Sequence, residues 1–373
     1  MRDRQPQHFL FPRRFFASSV RGLPPVPAYM LHQVDVPQFE ALCATLARER
    51  VRCITFTELM AGDAGENAIL LTFDDGWSSV WSAAVPIAKR HGVRFTLFLE
   101  PRCVEESQEV RSTLDTGATP DEIAVRDLGP RPRLTRGEVL ALQASGVVDI
   151  QSHSTHHGVV FKSATLKGFV TPDGPFPING LIPLVQRLDA GDAVSFRPEP
   201  GTPLYEWGPA LTVPRRFLEP IGVRDKCVQL AREGGAAFFT RADWQEQLRA
   251  VASEVPAAEW ESSEARLERL RLDLEGSRRI IETRVRGTHV TVLAPPWAEI
   301  DAALPDIARA AGYRLLVLGY PFRVAHLNSS LPLYPRLFGD ASWVCALGTM
   351  RGATKWWNAR SRNLQRRRVG AIP

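Results

Sequence analysis

The stretch LTFDDGWSSV, residues 71–80, decides the fold of this 373-residue chain. It joins an apolar run, residues 68–73, to two adjacent carboxylates, Asp74 and Asp75, and to a segment with helical spacing of its apolar residues, 78–91. A short continuous apolar run is typical of a strand buried on both faces, and a strand followed at once by a helix is the unit of a parallel sheet. The stretch therefore predicts an α/β protein in which the two carboxylates lie at the carboxyl end of a strand.

A second stretch, QSHSTHH at residues 151–157, brings two histidines to another strand end. His153 and His157 follow the apolar run 147–150. One carboxylate oxygen and two imidazole nitrogens are a common set of protein ligands for a catalytic Zn²⁺, with a fourth position left for water. The other of the two adjacent carboxylates is then free to act as a base. We interpret His156 as a solvent-facing or packing side chain rather than a ligand.

Apolar runs and helical patterns alternate along most of the chain, which is typical of a mainly parallel α/β architecture. One helix is predicted with its ends: Thr135 is the N-cap, Glu138 completes a capping box and Gly146 follows the last turn. The predicted strands are 27–31, 53–56, 68–73, 95–99, 147–150, 290–293 and 314–318, and the predicted helices are 36–50, 78–91, 135–145, 241–253, 257–286 and 304–311.

Two segments lack this pattern. Residues 101–132 are polar and rich in turn formers, so we expect a surface excursion. Residues 158–222 contain ten prolines between Pro172 and Pro220 and little periodicity, which predicts a long insertion built from loops. We expect it to act as a lid over the site or as a protective cap. The predicted organisation is a basic N-terminal extension (1–26), a catalytic domain (27–160 and 240–345), an insertion or lid (161–239) and a basic C-terminal tail (346–373).

Composition narrows the class of protein. An apolar content of 44% fills a substantial core, and no run approaches the roughly 20 apolar residues of a membrane span. The five cysteines are scattered and odd in number, and the first residues lack an apolar signal core, so we predict a cytoplasmic protein. The basic tail carries Trp356 and Trp357 and could contact anionic membranes or an acidic polymer, but a solvated terminus is the favoured interpretation. We predict no nucleic-acid partner and leave the oligomeric state open.

Chemically capable side chains collect just beyond the predicted strands. They are His32, Asp74, Asp75, His153, His157, Pro296 and Trp297. Loops at the carboxyl ends of parallel strands converge on one face of a sheet or barrel, so these residues are expected to share a site. Taken alone, Asp-Asp-Gly could be a simple turn and the two histidines a chance surface pair. Their occurrence at successive strand ends favours a functional site.

These residues resemble the NodB-homology polysaccharide deacetylases. Residues 72–76, TFDDG, are similar to the first motif of that family, and residues 153–157, HSTHH, to the second. Pro296-Trp297 resembles its third, Pro-aromatic motif. The resemblance covers about residues 27–160 and 262–340 and implies a distorted (β/α)7–8 barrel with the Pro-rich stretch as an insertion. It also implies Asp74 as general base and one divalent metal ion, most simply Zn²⁺, with Co²⁺, Ni²⁺ or Fe²⁺ as alternatives.

The resemblance assigns Asp75, His153 and His157 as the metal ligands. Many members use an arginine two residues before the third-motif proline to hold the catalytic Asp, but this chain has Ala294 there. The opening YMLH, residues 29–32, is instead similar to the branch of poly-N-acetylglucosamine deacetylases, which implies His32 as general acid. His326 is the competing candidate for that role.

Three residues are candidates for contact with the substrate: Pro296, Trp297 and Arg336. Arg336, in LYPRLF, also resembles a late arginine of the same branch that could orient Asp74, and a surface position is the alternative.

The leading functional hypothesis is metal-dependent removal of an N-acetyl group from an amino-sugar unit of a glycan or of a glycan precursor. The first alternative keeps the chemistry and changes the substrate to give a deformylase or an amidase acting on a nucleotide sugar or small molecule. The second is an inactive glycan-binding module in which aromatic residues of the insertion, Tyr205, Trp207 and Phe217, stack on sugars.

Overall fold

The computed structural model describes residues 26–63, 67–174, 181–188, 191–253, 258–320 and 329–338. The predictions for the N-terminal extension up to residue 25, for His326 and for the basic tail lie outside these residues. No helix in the described part of the chain combines the length and the hydropathy that crossing a bilayer requires.

Seven parallel strands form a nearly closed barrel, which confirms the predicted α/β barrel. In order around the ring they are β1 (Ala28–Leu31), β3 (Ala68–Phe73), β4 (Phe95–Leu99), β5 (Val148–Ser152), β12 (Val292–Leu293), β13 (Leu315–Tyr320) and β14 (Leu333–Phe338), and β14 returns to β1. The short strand β2 (Arg52–Ile54) pairs with the first half of β3, and β4 pairs with its second half. The order of the ring brings strands that are distant in sequence to one rim.

The strand residues alternate between two apolar environments. In β3, Ala68 and Leu70 pack inside the barrel with residues such as Phe98 and Val317, whereas Ile69, Leu71 and Phe73 belong to the larger cluster shared with the outer helices. Both faces of a barrel strand are therefore buried, and this is why the strand reads as a continuous apolar run. The alternation also fixes which side chains beyond each strand end point into the barrel.

Nine α-helices are described. They are α1 (Val36–Arg48), α2 (Phe56–Met60), α3 (Val85–His91), α4 (Pro120–Leu128), α5 (Arg136–Ala144), α6 (Ile221–Gly234), α7 (Trp244–Ala252), α8 (Ser263–Arg284) and α9 (Leu304–Ala310). The capping box at Thr135 and Glu138 is confirmed at the start of α5. The helix predicted at 78–91 is present, but its first part, Val80–Ala84, is a π-helix. Helix α4 lies within the predicted surface excursion and was not predicted.

The prediction that the Pro-rich stretch is built from loops is wrong. It contains a four-stranded sheet in the order β8 (Gly191–Ser195), β7 (Leu184–Leu188), β6 (Val159–Phe169) and β9 (Pro203–Pro209). Helix α6 follows, and a small two-stranded antiparallel sheet pairs β10 (Phe217–Leu218) with β11 (Glu259–Trp260). The prolines hid the strands because those within the described residues lie at strand ends and in connections, where no ladder hydrogen bond is lost. We call residues 159–234 the inserted segment.

Candidate metal centre

The inward-facing positions of four barrel strands continue into the polar side chains at one rim. Residue 74 follows the inward positions 68, 70 and 72 of β3, and His32 follows Ala28 and Met30 of β1 in the same way. His153 lies just beyond β5, and Arg336 follows the inward-facing Tyr334 within β14. The barrel therefore gathers these side chains at its carboxyl rim, as the sequence predicted for all of them except Arg336.

Asp75 reaches the same place through a sharp turn. Its backbone has a positive φ of 71°, and that of Gly76 is 74°. A β-carbon at Gly76 would lie 2.8 Å from a methyl group of Leu99, so the turn requires glycine. Arg133 Nη1 donates a hydrogen bond to the Asp75 carbonyl at 2.7 Å, and Trp77 Nε1 donates to Asp75 Oδ2 at 3.2 Å. These contacts hold one carboxylate oxygen and leave Oδ1 without a hydrogen bond.

His153 is oriented by the strand beside it. Its Nδ1 lies 2.6 Å from the carbonyl oxygen of Ala294, so Nδ1 donates and Nε2 faces the cavity with a lone pair. Nε2 is 3.4 Å from Asp75 Oδ1 and 4.0 Å from Asp74 Oδ2. Burial lowers the pKa of His153, but the neighbouring carboxylates outweigh it and the net direction is upward. A cation bound to Nε2 would take the place of that proton.

His157 is presented by a loop that helix α8 holds in place. Asp273 of α8 accepts a hydrogen bond from the Thr155 amide at 2.8 Å, and Ser277 donates to the Ser154 carbonyl at 2.9 Å. His157 has φ of 50° and is buried, and its Nδ1 has no hydrogen-bond partner. Burial lowers the pKa of His157 to about 4, so the imidazole is neutral at physiological pH. A neutral imidazole is the form that binds a metal ion.

Asp74 is paired with Arg336. Nη1 and Nη2 of the guanidinium donate to Oδ1 and Oδ2 at 2.6 and 2.8 Å, and Nη1 also donates to the Thr72 hydroxyl at 2.9 Å. Burial alone would raise the pKa of Asp74, but the charge of Arg336, helped by His153, holds it below its usual value. Asp74 is therefore an ionised carboxylate in a fixed orientation.

The position of Arg336 differs from two of the interpretations drawn from the sequence. Its side chain is 0% exposed, so the surface alternative is wrong. It lies behind Asp74 and is not among the residues that line the cavity, so the structure gives no support to direct substrate contact. In this chain, which has Ala294 two residues before Pro296, the arginine that binds Asp74 comes from β14.

Glu100 was not predicted as a site residue. It follows β4 at 0% exposure, and its carboxylate lies within 4.8 Å of the ligand atoms of Asp75, His153 and His157. Arg133 is its nearest cation, with Nη2 3.7 Å from Glu100 Oε2. Burial raises the pKa of Glu100 to about 7, against the opposing charge of Arg133. The signal in the sequence is its position two residues after Phe98, which faces into the barrel.

A cavity of about 390 Å³ opens above these groups. His32, which is exposed, lies at its wall with Met30, Trp77 and Arg133. Trp297 forms another wall, with φ of 62° and its ring 5.1 Å from that of His157. Pro296 is buried beneath it and does not line the cavity. Leu181 and Ile182 complete the lining from the inserted segment.

The residues present fit a divalent metal ion. Asp75, Glu100, His153 and His157 each offer one ligand atom, and these atoms all lie within 4.8 Å of one another. Asp75 Oδ1, both Glu100 oxygens and His157 Nδ1 are buried without hydrogen-bond partners, an arrangement that a cation would satisfy. The predicted triad is therefore brought together. His156 stays apart from it, with Nδ1 3.9 Å from Asp273, in agreement with its interpretation as a packing residue.

Several solved structures are similar to this chain over most of its length. A de-N-acetylase from Aggregatibacter actinomycetemcomitans is 15% identical, with a TM-score of 0.49 over 88% of this chain and 98% of that one. The BpsB deacetylase domain from Bordetella bronchiseptica is 14% identical, with a TM-score of 0.48 over 84% and 96%. IcaB from Ammonifex degensii is 13% identical, with a TM-score of 0.45 over 87% and 97%. No curated protein matches the chain in sequence.

One family model matches the sequence. Residues 61–165 match the model described as polysaccharide deacetylase. The matched segment includes both Asp74-Asp75 and His153-Ser-Thr-His-His157, the two motifs that meet at the barrel rim. Residues 61–165 therefore carry a polysaccharide deacetylase domain, in agreement with the resemblance to the NodB-homology polysaccharide deacetylases.

Proposed function

We propose that this protein hydrolyses the N-acetyl group of an amino-sugar unit with the help of one divalent metal ion held by Asp75, His153 and His157. The observation that carries the proposal is that two neighbouring carboxylates differ in their hydrogen-bond partners. Asp75 keeps an unpartnered oxygen next to two imidazoles, whereas both oxygens of Asp74 are bound to Arg336. One carboxylate is thus available to a cation, and the other is held as an ionised base.

Amide hydrolysis needs an activated water, a polarised carbonyl and a proton for the departing amine. When bound, the metal polarises the carbonyl and makes the water more acidic. Asp74 accepts the proton of the attacking water, and Arg336 keeps the carboxylate ionised and aimed at the cavity. His32, at the cavity wall, donates a proton to the amine nitrogen as it leaves. The competing acid His326 lies outside the described residues.

The cavity supports a substrate that enters as a single sugar unit. Its volume of about 390 Å³ is near the lower end of small-molecule sites, which span about 300–1,000 Å³. Trp77 and Trp297 offer flat apolar faces of the kind that pack on sugar rings, and Leu181 and Ile182 close one side. We therefore propose that the inserted segment limits how much of a glycan reaches the metal, and that the unit is the end of a chain or part of a glycan precursor.

The test is the release of acetate from N-acetylglucosamine oligomers and from N-acetylated sugar nucleotides. The protein is stripped with a chelator, reloaded with Zn²⁺, Co²⁺, Ni²⁺ or Fe²⁺, and compared with the Asp75→Asn variant. We expect acetate release to require both added metal and Asp75. Release of formate from N-formylated sugars without acetate release would identify a deformylase. Metal binding without any hydrolysis would identify a glycan-binding module, and full activity of the stripped protein would refute the metal-dependent mechanism.

A further inference from the structure

Glu100 is a buried carboxylate that has no ordinary structural partner. Its exposed fraction is 0%, and within the described residues neither Oε1 nor Oε2 accepts a hydrogen bond from a nitrogen or hydroxyl donor, with the Cys103 thiol as a weak neighbour. Burying a charged group without hydrogen bonds costs several kcal/mol, so such groups are rare unless they bind a cation. The position of Glu100 at the end of β4 follows the inward direction of Phe98 and brings it to the carboxylate of Asp75 and the two imidazoles.

Arg133 does not satisfy Glu100. Its Nη2 is 3.7 Å from Glu100 and its Nη1 is 3.9 Å from Asp75 Oδ2, both beyond hydrogen-bond distance. Arg133 is held elsewhere, because it donates to the Asp75 carbonyl and its guanidinium lies 4.7 Å from the centre of the Trp77 ring. In contrast, Arg111 donates to Glu138, also 0% exposed, at 2.6 and 2.7 Å. This chain therefore pairs buried carboxylates closely where an arginine is their partner.

The charges at the rim leave room for a cation. The carboxylate of Asp74 is balanced by Arg336. Asp75 and Glu100 share the single positive charge of Arg133, so an ionised pair leaves one unbalanced negative charge beside two imidazoles that are available as ligands. A divalent ion at this point would meet two carboxylates and two nitrogens, and an ion of coordination number five or six would keep a position for water beside these four protein ligands.

We propose that Glu100 is a fourth protein ligand of the metal ion, so that the centre has two carboxylates and two imidazoles rather than one carboxylate and two imidazoles. The inference rests on the proposed metal-dependent function. The four ligand atoms lie within 4.8 Å of one another. Ligands of a tetrahedral ion with bonds of about 2.1 Å lie about 3.4 Å apart, and opposite ligands of an octahedral ion lie about 4.2 Å apart, so side-chain movements on the order of 1 Å would complete the site.

A second carboxylate changes which metal the site prefers. Carboxylate oxygens suit harder ions such as Mn²⁺, whereas imidazole suits Zn²⁺, Fe²⁺ and Ni²⁺. The second negative charge also cancels the remaining charge of a divalent ion. Compared with a site of one carboxylate and two imidazoles, this centre should therefore bind Mn²⁺ more tightly relative to Zn²⁺.

The test compares the wild type with Glu100→Gln and with Glu138→Gln, all stripped of metal. Gln at position 100 keeps the shape and removes the charge. Glu138→Gln also removes a buried carboxylate paired with arginine, and its amide can still serve the capping box of α5. Affinities for Zn²⁺ and Mn²⁺ are measured by competition with a chromophoric chelator, thermal unfolding of the stripped proteins checks folding, and the visible spectrum of the Co²⁺ form reports the ligand set.

We expect Glu100→Gln to bind Zn²⁺ at least about 10-fold more weakly, to lose more affinity for Mn²⁺ than for Zn²⁺, and to change the Co²⁺ spectrum. Glu138→Gln should match the wild type in all three. Wild-type affinities and spectrum in Glu100→Gln would overturn the proposal, and so would weaker binding with an unchanged spectrum, since Glu100 would then act only through its charge. A wild type that binds none of these metals would instead refute the proposed function.

Discussion

Two arginine–carboxylate arrangements face each other across His153, and they differ in how completely the charges are paired. On one side, Arg336 makes two short hydrogen bonds to Asp74 and the pair is fully buried. On the other, Arg133 stays 3.7 Å or more from the carboxylates of Glu100 and Asp75. We call Arg336 with Asp74 the closed pair, and Arg133 with Glu100 and Asp75 the open group. Both lie at the same rim and consist of arginine and carboxylates.

The difference separates two chemical roles for carboxylates only a few ångströms apart. A carboxylate with both oxygens bound by a guanidinium has less to gain from a metal ion, and it stays ionised as a proton acceptor. Carboxylates with unpartnered oxygens are costly without a cation and gain most from binding one. The comparison therefore supports Asp74, in the closed pair, as the proposed base and the open group as the place of the proposed metal ion.

The largest effect is expected when each of the two adjacent carboxylates, Asp74 and Asp75, is replaced by an amide in turn. Asp74→Asn should keep its metal and lose turnover by about 10³-fold, because only the general base is removed. Asp75→Asn should lose the metal itself. Metal content by elemental analysis and acetate release, measured on both variants, separate the two losses. Full turnover by Asp74→Asn would show that Asp74 is not the general base.

Removing each arginine in turn tests how tightly the two groups are paired. Arg336→Met leaves Asp74 buried without its partner and should lower the free energy of unfolding by about 3 kcal/mol. Arg133→Met should cost less in the metal-loaded protein, because the ion neutralises Asp75 and Glu100. Urea unfolding of both variants, with and without metal, provides the measurement. Equal losses in the loaded proteins would show that the two arrangements do not differ in this way.

His32 should matter only where a poor leaving group departs. His32→Gln should lower the rate of N-acetyl hydrolysis by about 10²-fold, because the amine needs a proton. An aryl acetate, whose phenolate departs without protonation, should be hydrolysed at nearly the wild-type rate. The ratio of the two rates is the measurement. An equal loss on both substrates would remove His32 from the role of general acid.

The smallest effect is expected at Glu219, a buried carboxylate of the inserted segment that serves as a comparison for the carboxylates at the rim. It is 5% exposed, lies 3.2 Å from Arg224 and is not part of the metal group. Burial raises the pKa of Glu219 to about 7, so the folded state holds a proton that the unfolded state has already lost above its ordinary pKa of 4.5. The contribution of this group to stability therefore falls as the pH rises from about 4.5 to 7, by at most about 1.4 kcal/mol per pH unit.

Glu219→Gln removes this titration. The difference in unfolding free energy between the variant and the wild type should therefore change across that pH range and be flat above it. Urea titrations at several pH values measure it, and a pH-independent difference would contradict the shifted pKa. The metal should leave this slope unchanged, unlike the stability of the rim variants.

The sequence was sufficient for the barrel and for the residues that carry a recognisable pattern. One continuous apolar run ends at Asp74-Asp75 and another ends before His153. These runs predicted the strands, their parallel direction and the rim at which the polar residues meet. The inserted segment could not be predicted in this way. Its longest strand, Val159–Phe169, is largely exposed in its middle, so neither a continuous apolar run nor a clean alternation marks it.

Glu100 and Arg336 show what the prediction of the site lacked. Residues two positions apart in a strand face the same side. Glu100 and Arg336 are therefore recognisable only once Phe98 and Tyr334, two positions earlier, are known to face into the barrel. A single carboxylate after a strand carries no motif, and an arginine inside a strand reads as a surface position. Only the nearly closed ring of strands shows that both side chains point to the carboxyl rim of the barrel.

The backbone conformation at this rim has a consequence for how the protein can change. Of the seven non-glycine residues with positive φ in the described part of the chain, five are Asp75, Ser154, His157, Trp297 and Ala298. Each such residue is held in a conformation that disfavours a side chain by about 1–2 kcal/mol. Replacement of Asp75 or His157 by glycine would relax the backbone while deleting a ligand. A descendant of this protein that is no longer selected for catalysis would therefore be expected to lose Asp75 and His157 first. Its free energy of unfolding would rise as it does so.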